Sequence, residues 1–95
     1  MDCQRVVFSG HAIQRMFERG IGRDAVLAAI SSGETIAEYP GDAPYPSRLL
    51  VGWARTRPIH VVAAYDRSNS TCIVITVYEP SHEHWETGFK KRRAE

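Results

Sequence analysis

Three groups of residues in this chain carry side chains suited to acid–base or electrostatic chemistry. His11, Arg15 and Glu18 stand at i, i+4 and i+7, with Arg19 one residue on, so on a helix they line a single strip. His60 lies near the start of one run of β-formers, and Thr76, Tyr78 and Glu79 close the next. Cleaving RNA without a metal requires a base for the 2′-hydroxyl, an acid for the leaving 5′-oxygen and a cation for the charge on phosphorus. His, Glu, Tyr and Arg fill those roles. Each group also has a plainer reading. Arg15 and Glu18 make an ordinary i, i+3 surface pair worth a few tenths of a kcal/mol, and His60 is as readily a histidine satisfied by hydrogen bonds at a sheet end. His82 and His84, two apart, would share one face of a strand, as some metal sites require. No third ligand is evident beside them, so no metal is expected. The chain has no Gly-rich phosphate loop, nucleophile elbow or H-E-x-x-H.

These residues are positioned by a β-hairpin, P-I-H-V-V-A-A-Y-D (58–66) and T-C-I-V-I-T-V-Y-E (71–79), joined through R-S-N-S. Counting outward from the turn pairs Asp66 with Thr71, Ala64 with Ile73, Val62 with Ile75 and His60 with Val77. The face bearing His60, Val62, Ala64, Ile73, Ile75 and Val77 is then nearly all apolar and suited to helices. The face bearing Tyr65, Thr76 and Tyr78 is the partly open one. In this register His60 and Glu79 point one way and Thr76 and Tyr78 the other, and a single bulge would change that parity.

Ahead of the hairpin, Val6 to Phe8 read as a short strand or as a cover for one end of the core. Ser9 is an N-cap for a helix over Gly10–Arg19 stopped by Gly20, with Ala12, Ile13, Met16 and Phe17 as its inward stripe. A second helix over Arg23–Ser31, with Asp24 near its start and Gly33 as its stop, completes a helical hairpin laid on the sheet. Glu34–Tyr39 is a strand ended by Pro40, and Arg48–Arg55 is another after a proline-rich loop. Within it, Gly52 marks a bulge or a close approach. Trp53 is an edge-of-core residue by preference and a stacking platform as the alternative. Trp85 and Phe89, four apart, form the apolar edge of a last helical turn that leaves Lys90 to Arg93 exposed, for phosphate or for solubility.

The length, 95 residues with 43% hydrophobic, suits a single domain over 1–95 with one modest core. Formal net charge is +1, but residues 90–95 hold four basic groups and one acidic, leaving 8 basic against 10 acidic before them, a net −2. The basicity is a C-terminal feature, and a mildly acidic body argues against tight general nucleic-acid binding while leaving room for a small basic cleft. Cys3 and Cys72 make neither a disulfide framework nor a zinc spacing and read as free thiols. No apolar run nears the roughly 20 residues that cross a bilayer, and no signal-peptide core opens the chain, so a cytoplasmic protein with no membrane partner is expected.

The runs F-S-G-H-A-I-Q-R-M-F-E-R-G-I (8–21), Y-P-G-D-A-P-Y-P-S-R-L-L-V-G-W (39–53), R-P-I-H-V-V-A-A-Y-D (57–66), I-V-I-T-V-Y-E-P (73–80) and W-E-T-G-F-K-K-R-R (85–93) resemble the DUF4258 family. The resemblance covers nearly the whole chain. It implies an α+β domain similar to RelE/ParE-type toxins: an N-terminal helical hairpin on a three- to four-stranded antiparallel sheet, with a short C-terminal helical tail. It also implies a toxin–antitoxin setting, in which relatives cleave RNA or poison replication and a co-encoded antitoxin neutralises them. On that basis His11, Arg15, Arg19, His60 and Tyr78 are the catalytic candidates. The resemblance also marks Thr76, and residue type and place add Glu79, Lys90, Lys91, Arg92 and Arg93, as substrate-binding candidates. The expectation is a metal-independent ribonuclease with no cofactor. Alternatives are a non-catalytic protein-binding module and a replication inhibitor without nuclease activity. Candidate partners are RNA, an antitoxin protein and a second copy of the chain.

Overall fold

A computed structural model describes residues 1–94; the expected boundary at Glu95 lies outside the described residues. Ser9 is extended and its hydroxyl accepts the Ala12 amide, so α1 (Gly10–Arg19) starts where a cap satisfies a donor. Gly20, at φ 62°, closes it in the left-handed region. Helix α2 (Arg23–Ser32) carries Asp24 in its first turn. Gly33 is the expected stop, but through close approach: its φ is −71°, and a Cβ there would collide with the Ala29 carbonyl.

Strands β1 (Arg5–Phe8), β2 (Glu34–Tyr39), β3 (Ser47–Ala54), β4 (Arg57–Asp66) and β5 (Thr71–Tyr78) form one sheet in the order β1-β5-β4-β3-β2. The expected antiparallel sheet of three to four strands is thereby corrected to a mixed, five-stranded one. The added strand β1 runs parallel to β5, from Arg5↔Thr71 to Phe8↔Val74. Four residues carry too little periodicity to separate an edge strand from a covering segment. The expected helical tail is also absent. Residues 82–93 double back instead: Trp85 bridges to Arg92, and the Glu86 and Arg93 amides donate to the Lys91 and His84 carbonyls. Gly88 at φ 92° and Phe89 at φ 60° turn the chain in a sense no right-handed helix admits.

Both helices lie on the face bearing Ile59, Val61, Ala63, Cys72, Val74 and Val77, all fully buried. That reverses the expected assignment of faces for all of them but Val77, which was expected under the helices. The row Ile59–Val61–Ala63 offers only apolar surface, whereas the opposite face holds His60 and Tyr78, whose polar atoms need partners when buried. Gly52 makes a close approach: a Cβ there would lie 2.5 Å from that of Ala29 on α2. The C-terminal loop covers the opposite face, where Trp85 and Phe89 pack with Leu49 and Val51. Docking through those two aromatics matches the sequence; the helical geometry does not. On α1 only half of the expected stripe points inward. Ala12 is buried and Met16 half-buried, but Ile13 is 57% and Phe17 88% exposed, because α1 sits at the sheet margin against β5 and buries only a narrow line.

Cys3 and Cys72, read as free thiols, are joined in a disulfide with a Cα–Cα distance of 5.6 Å. Only the pairing of β1 with β5 brings these residues together across 69 positions of sequence. Closing so long a loop is worth about 4 kcal/mol on a chain-entropy reckoning. Among the described residues no helix is long and apolar enough to cross a membrane.

Candidate functional site

The hairpin register holds for Asp66↔Thr71 and Ala64↔Ile73, then slips. Ala63 pairs with Val74 but Val62 pairs with Thr76, which leaves Ile75 as an extra residue and sets His60 opposite Tyr78 instead of Val77. The bulge has two consequences. It puts His60, Thr76 and Tyr78 on one side of the sheet. It also turns the Ile75 carbonyl toward Ser9, whose hydroxyl donates to it at 2.9 Å while accepting the Ala12 amide. One serine therefore caps α1 and anchors it to the bulge.

The anchor sets His11 beside β5. His11 Nε2 lies 3.0 Å from Thr76 Oγ1 in an exposed contact. In the tautomer whose Nε2–H donates to Thr76, Nδ1 keeps its lone pair, and among the described residues no side-chain hydrogen bond engages it. Arg15 and Arg19 follow at i+4 and i+8 from His11 on α1, each step a rise of about 6 Å along the helix axis. Arg15 Nη1 stands 3.8 Å from Glu18 Oε1, both about half exposed, which is the ordinary surface pair allowed by the sequence. Arg19 is exposed, and its carbonyl accepts Arg57 Nη2 at 2.8 Å. Arg57 also donates to the Gly20 carbonyl at 3.4 Å and reaches Glu79 Oε1 through Nη2 and Nε at 2.9 and 3.2 Å. A guanidinium at the carbonyl end of a helix answers its negative pole. Glu79 is thus held by Arg57, which sequence reasoning passed over because its role depends on α1 and β5 meeting.

His60 is completely buried. Its Nε2 donates to the Phe89 carbonyl at 2.8 Å, which leaves Nδ1 to accept the Tyr78 hydroxyl at 3.1 Å. Trp85 and Tyr78 enclose the ring in T-shaped contacts, with centroids 4.5 and 5.2 Å away. Burial lowers the His60 pKa below its usual 6.5, partly offset by the Phe89 carbonyl. Burial raises that of Tyr78 above 10, helped by Tyr39 and opposed by Arg92. The imidazole is neutral, dry and fully partnered.

The structure therefore brings His11 to Thr76 and His60 to Tyr78, two residues along one strand. It separates the two histidines by environment: one is open to water and the other sealed beneath the C-terminal loop. In that loop Lys90 Nζ pairs with Glu34 Oε1 at 3.1 Å, Lys91 with Glu86 at 3.8 Å, Arg92 stacks over Trp85 at 5.6 Å, and Arg93 Nε donates to the His82 carbonyl. The four cations are exposed, as the sequence suggested, but each side chain also has a partner on the protein. His82 and His84 sit in turns, and among the described residues no three His, Cys, Asp or Glu side chains gather as a metal would require.

Two clefts are formed by the described residues away from this margin. The larger, about 910 Å³, lies at the far end of the sheet among Tyr45, Tyr65, Glu38, Arg48 and Arg67, and includes none of the expected site residues. The smaller, about 330 Å³, lies at the corner of β2, β3 and α2, beside Trp53 and Lys90.

No curated protein and no solved structure matches the chain. A family model described as Domain of unknown function (DUF4258) matches residues 8–79, from the last residue of β1 to just past β5, and so takes in α1, the bulge and both histidine pairs. The chain belongs to the DUF4258 family.

Proposed function

We propose that the protein cleaves single-stranded RNA at the margin where α1 meets β5, as a toxin-type ribonuclease that works without a metal. The observation that carries this reading is the His11–Thr76 contact, 3.0 Å long and open to water. Thr76 holds the ring through Nε2, and Nδ1 takes the proton from a ribose 2′-hydroxyl. The 2′-oxygen attacks phosphorus, the bond from phosphorus to the 5′-oxygen breaks, and a 2′,3′-cyclic phosphate forms. The departing 5′-oxygen takes its proton from solvent. Arg15 and Arg19 sit along the same flank to oppose the charge that builds on phosphorus. His60 acts as a positioning residue: sealed and neutral, it fixes Tyr78 beside Thr76.

The test is incubation of purified protein with an end-labelled RNA, together with induction in a host lacking its genomic neighbours. Expected results are fragments ending in a cyclic phosphate and arrested growth, with both lost on His11→Gln substitution. Intact RNA and unchanged growth at good expression would overturn the reading. A second reading, a protein-binding module, is favoured by Ile13 and Phe17, which stand exposed at 57% and 88% on α1. A partner docked there would lose affinity on Phe17→Ser substitution with RNA untouched, and a neutralising partner would do so with cleavage retained.

A further inference from the structure

Trp53 gives nearly half of its surface, 49%, to water, and belongs to neither buried cluster. Its position follows from the lengths of two strands. β2 begins at Glu34, paired with Val51, so the last residues of β3 run on without a β2 neighbour. The 330 Å³ notch at that corner has Trp53 and Lys90 on its walls and the backbone of Gly33 and Gly52 among its lining. That volume is at the small end of ligand pockets, the scale of one nucleoside. Phe89 meets the indole in a T-shaped contact, centroids 6.1 Å apart and planes at 71°, which holds the ring in place without covering it. Lys90 Nζ pairs with Glu34 Oε1, but both are more than half exposed, so the pair is worth little and a phosphate can compete for the ammonium. Arg55, exposed at the tip of the β3–β4 turn, adds a second cation two residues from Trp53.

We infer that Trp53 is a stacking platform for one unpaired base of the RNA, with Lys90 receiving the adjoining phosphate; this deepens the ribonuclease reading above and rests on it for the substrate class. An aromatic face beside a cation is what single-stranded nucleic acid needs, since every base has a π-face and every linkage a charge. The platform lies at the end of the sheet where His60 and Tyr78 pair, on a strand separated from β5 only by β4. Two strand spacings amount to about 10 Å, with α1 just beyond. A base on Trp53 and a phosphate at His11 therefore belong to one short strand, a few nucleotides apart.

A fluorescently labelled 2′-O-methyl hexanucleotide, which cannot form the cyclic phosphate, reads binding alone through its anisotropy. Trp53→Ala is expected to weaken binding by about tenfold or more, Trp53→Phe by less than about threefold, and Lys90→Gln by a smaller, salt-dependent factor. Circular dichroism checks that each variant is folded. Equal binding by Trp53→Ala and wild type, equal binding of a duplex of the same sequence, or no binding by the wild type overturns the inference, whether or not unmodified RNA is cleaved. Trp53-dependent binding with no cleavage keeps the platform and removes the ribonuclease reading.

Discussion

His11 and His60 are partnered by hydroxyls two residues apart on the same strand, yet they occupy opposite chemical worlds. At the α1 margin His11 shares one nitrogen with Thr76 in water. Beneath the C-terminal loop His60 has both nitrogens engaged, no exposed surface and a lowered pKa. The difference teaches that a histidine's residue type and strand position do not decide its role. What decides it is whether a nitrogen remains available where a substrate can reach it. One ring keeps a nitrogen open to solvent, and burial sets the other against taking a proton.

The sharpest way to break this contrast is to remove each ring in turn. His11→Ala should lower RNA cleavage by about 10²- to 10⁴-fold, the usual worth of one acid–base group, with the melting temperature nearly unchanged. Retained cleavage would move the chemistry elsewhere. His60→Ala should act on the fold: it leaves a cavity and strands the Phe89 carbonyl and the Tyr78 hydroxyl, costing about 2–4 kcal/mol, or about 10 °C or more in melting temperature. Denaturant titration of the two variants measures the reversal directly.

Acid sharpens the contrast further. Because folding depresses the His60 pKa, the unfolded chain takes a proton below about pH 6.5 that the folded chain refuses. Stability that is complete above that pH should therefore fall as pH drops toward the lowered folded value. The slope for one group is at most about 1.4 kcal/mol per pH unit. Urea midpoints at several pH values for wild type and His60→Gln would show it, and an identical slope in both would assign the acid sensitivity to another group. The smallest expected effect is that of Ser9→Ala. Loss of the cap and of the link to Ile75 should cost about 1 kcal/mol and reduce cleavage by loosening His11. An unaltered rate would show that Thr76 holds the ring without help.

Much of the local structure was legible in the sequence. Ser9 and Gly20 bracket α1 as capping chemistry requires, β2 ends at Tyr39 before Pro40, and Asp66↔Thr71 is the register read outward from the turn. Each of those signals lies within a few residues of the element it governs. The site was legible only in its parts list. His60 and Tyr78 were assigned to opposite faces because strict alternation was counted past Ile75, and the bulge there has no local marker: the contact that accompanies it, from the Ser9 hydroxyl to the Ile75 carbonyl, spans 66 positions.

The amino-acid sequence by itself determined the bounds of α1 and β2 and the presence of α2, β3, β4 and β5, since caps, prolines and period-two apolar runs act on neighbouring backbone. Only the tertiary structure decided which face the helices cover, that β1 joins β5 and closes the Cys3–Cys72 bridge, and that the basic C-terminal stretch folds over His60. Those outcomes depend on which distant surfaces bury the most apolar area while leaving no polar group unpaired, a balance struck over the whole chain at once.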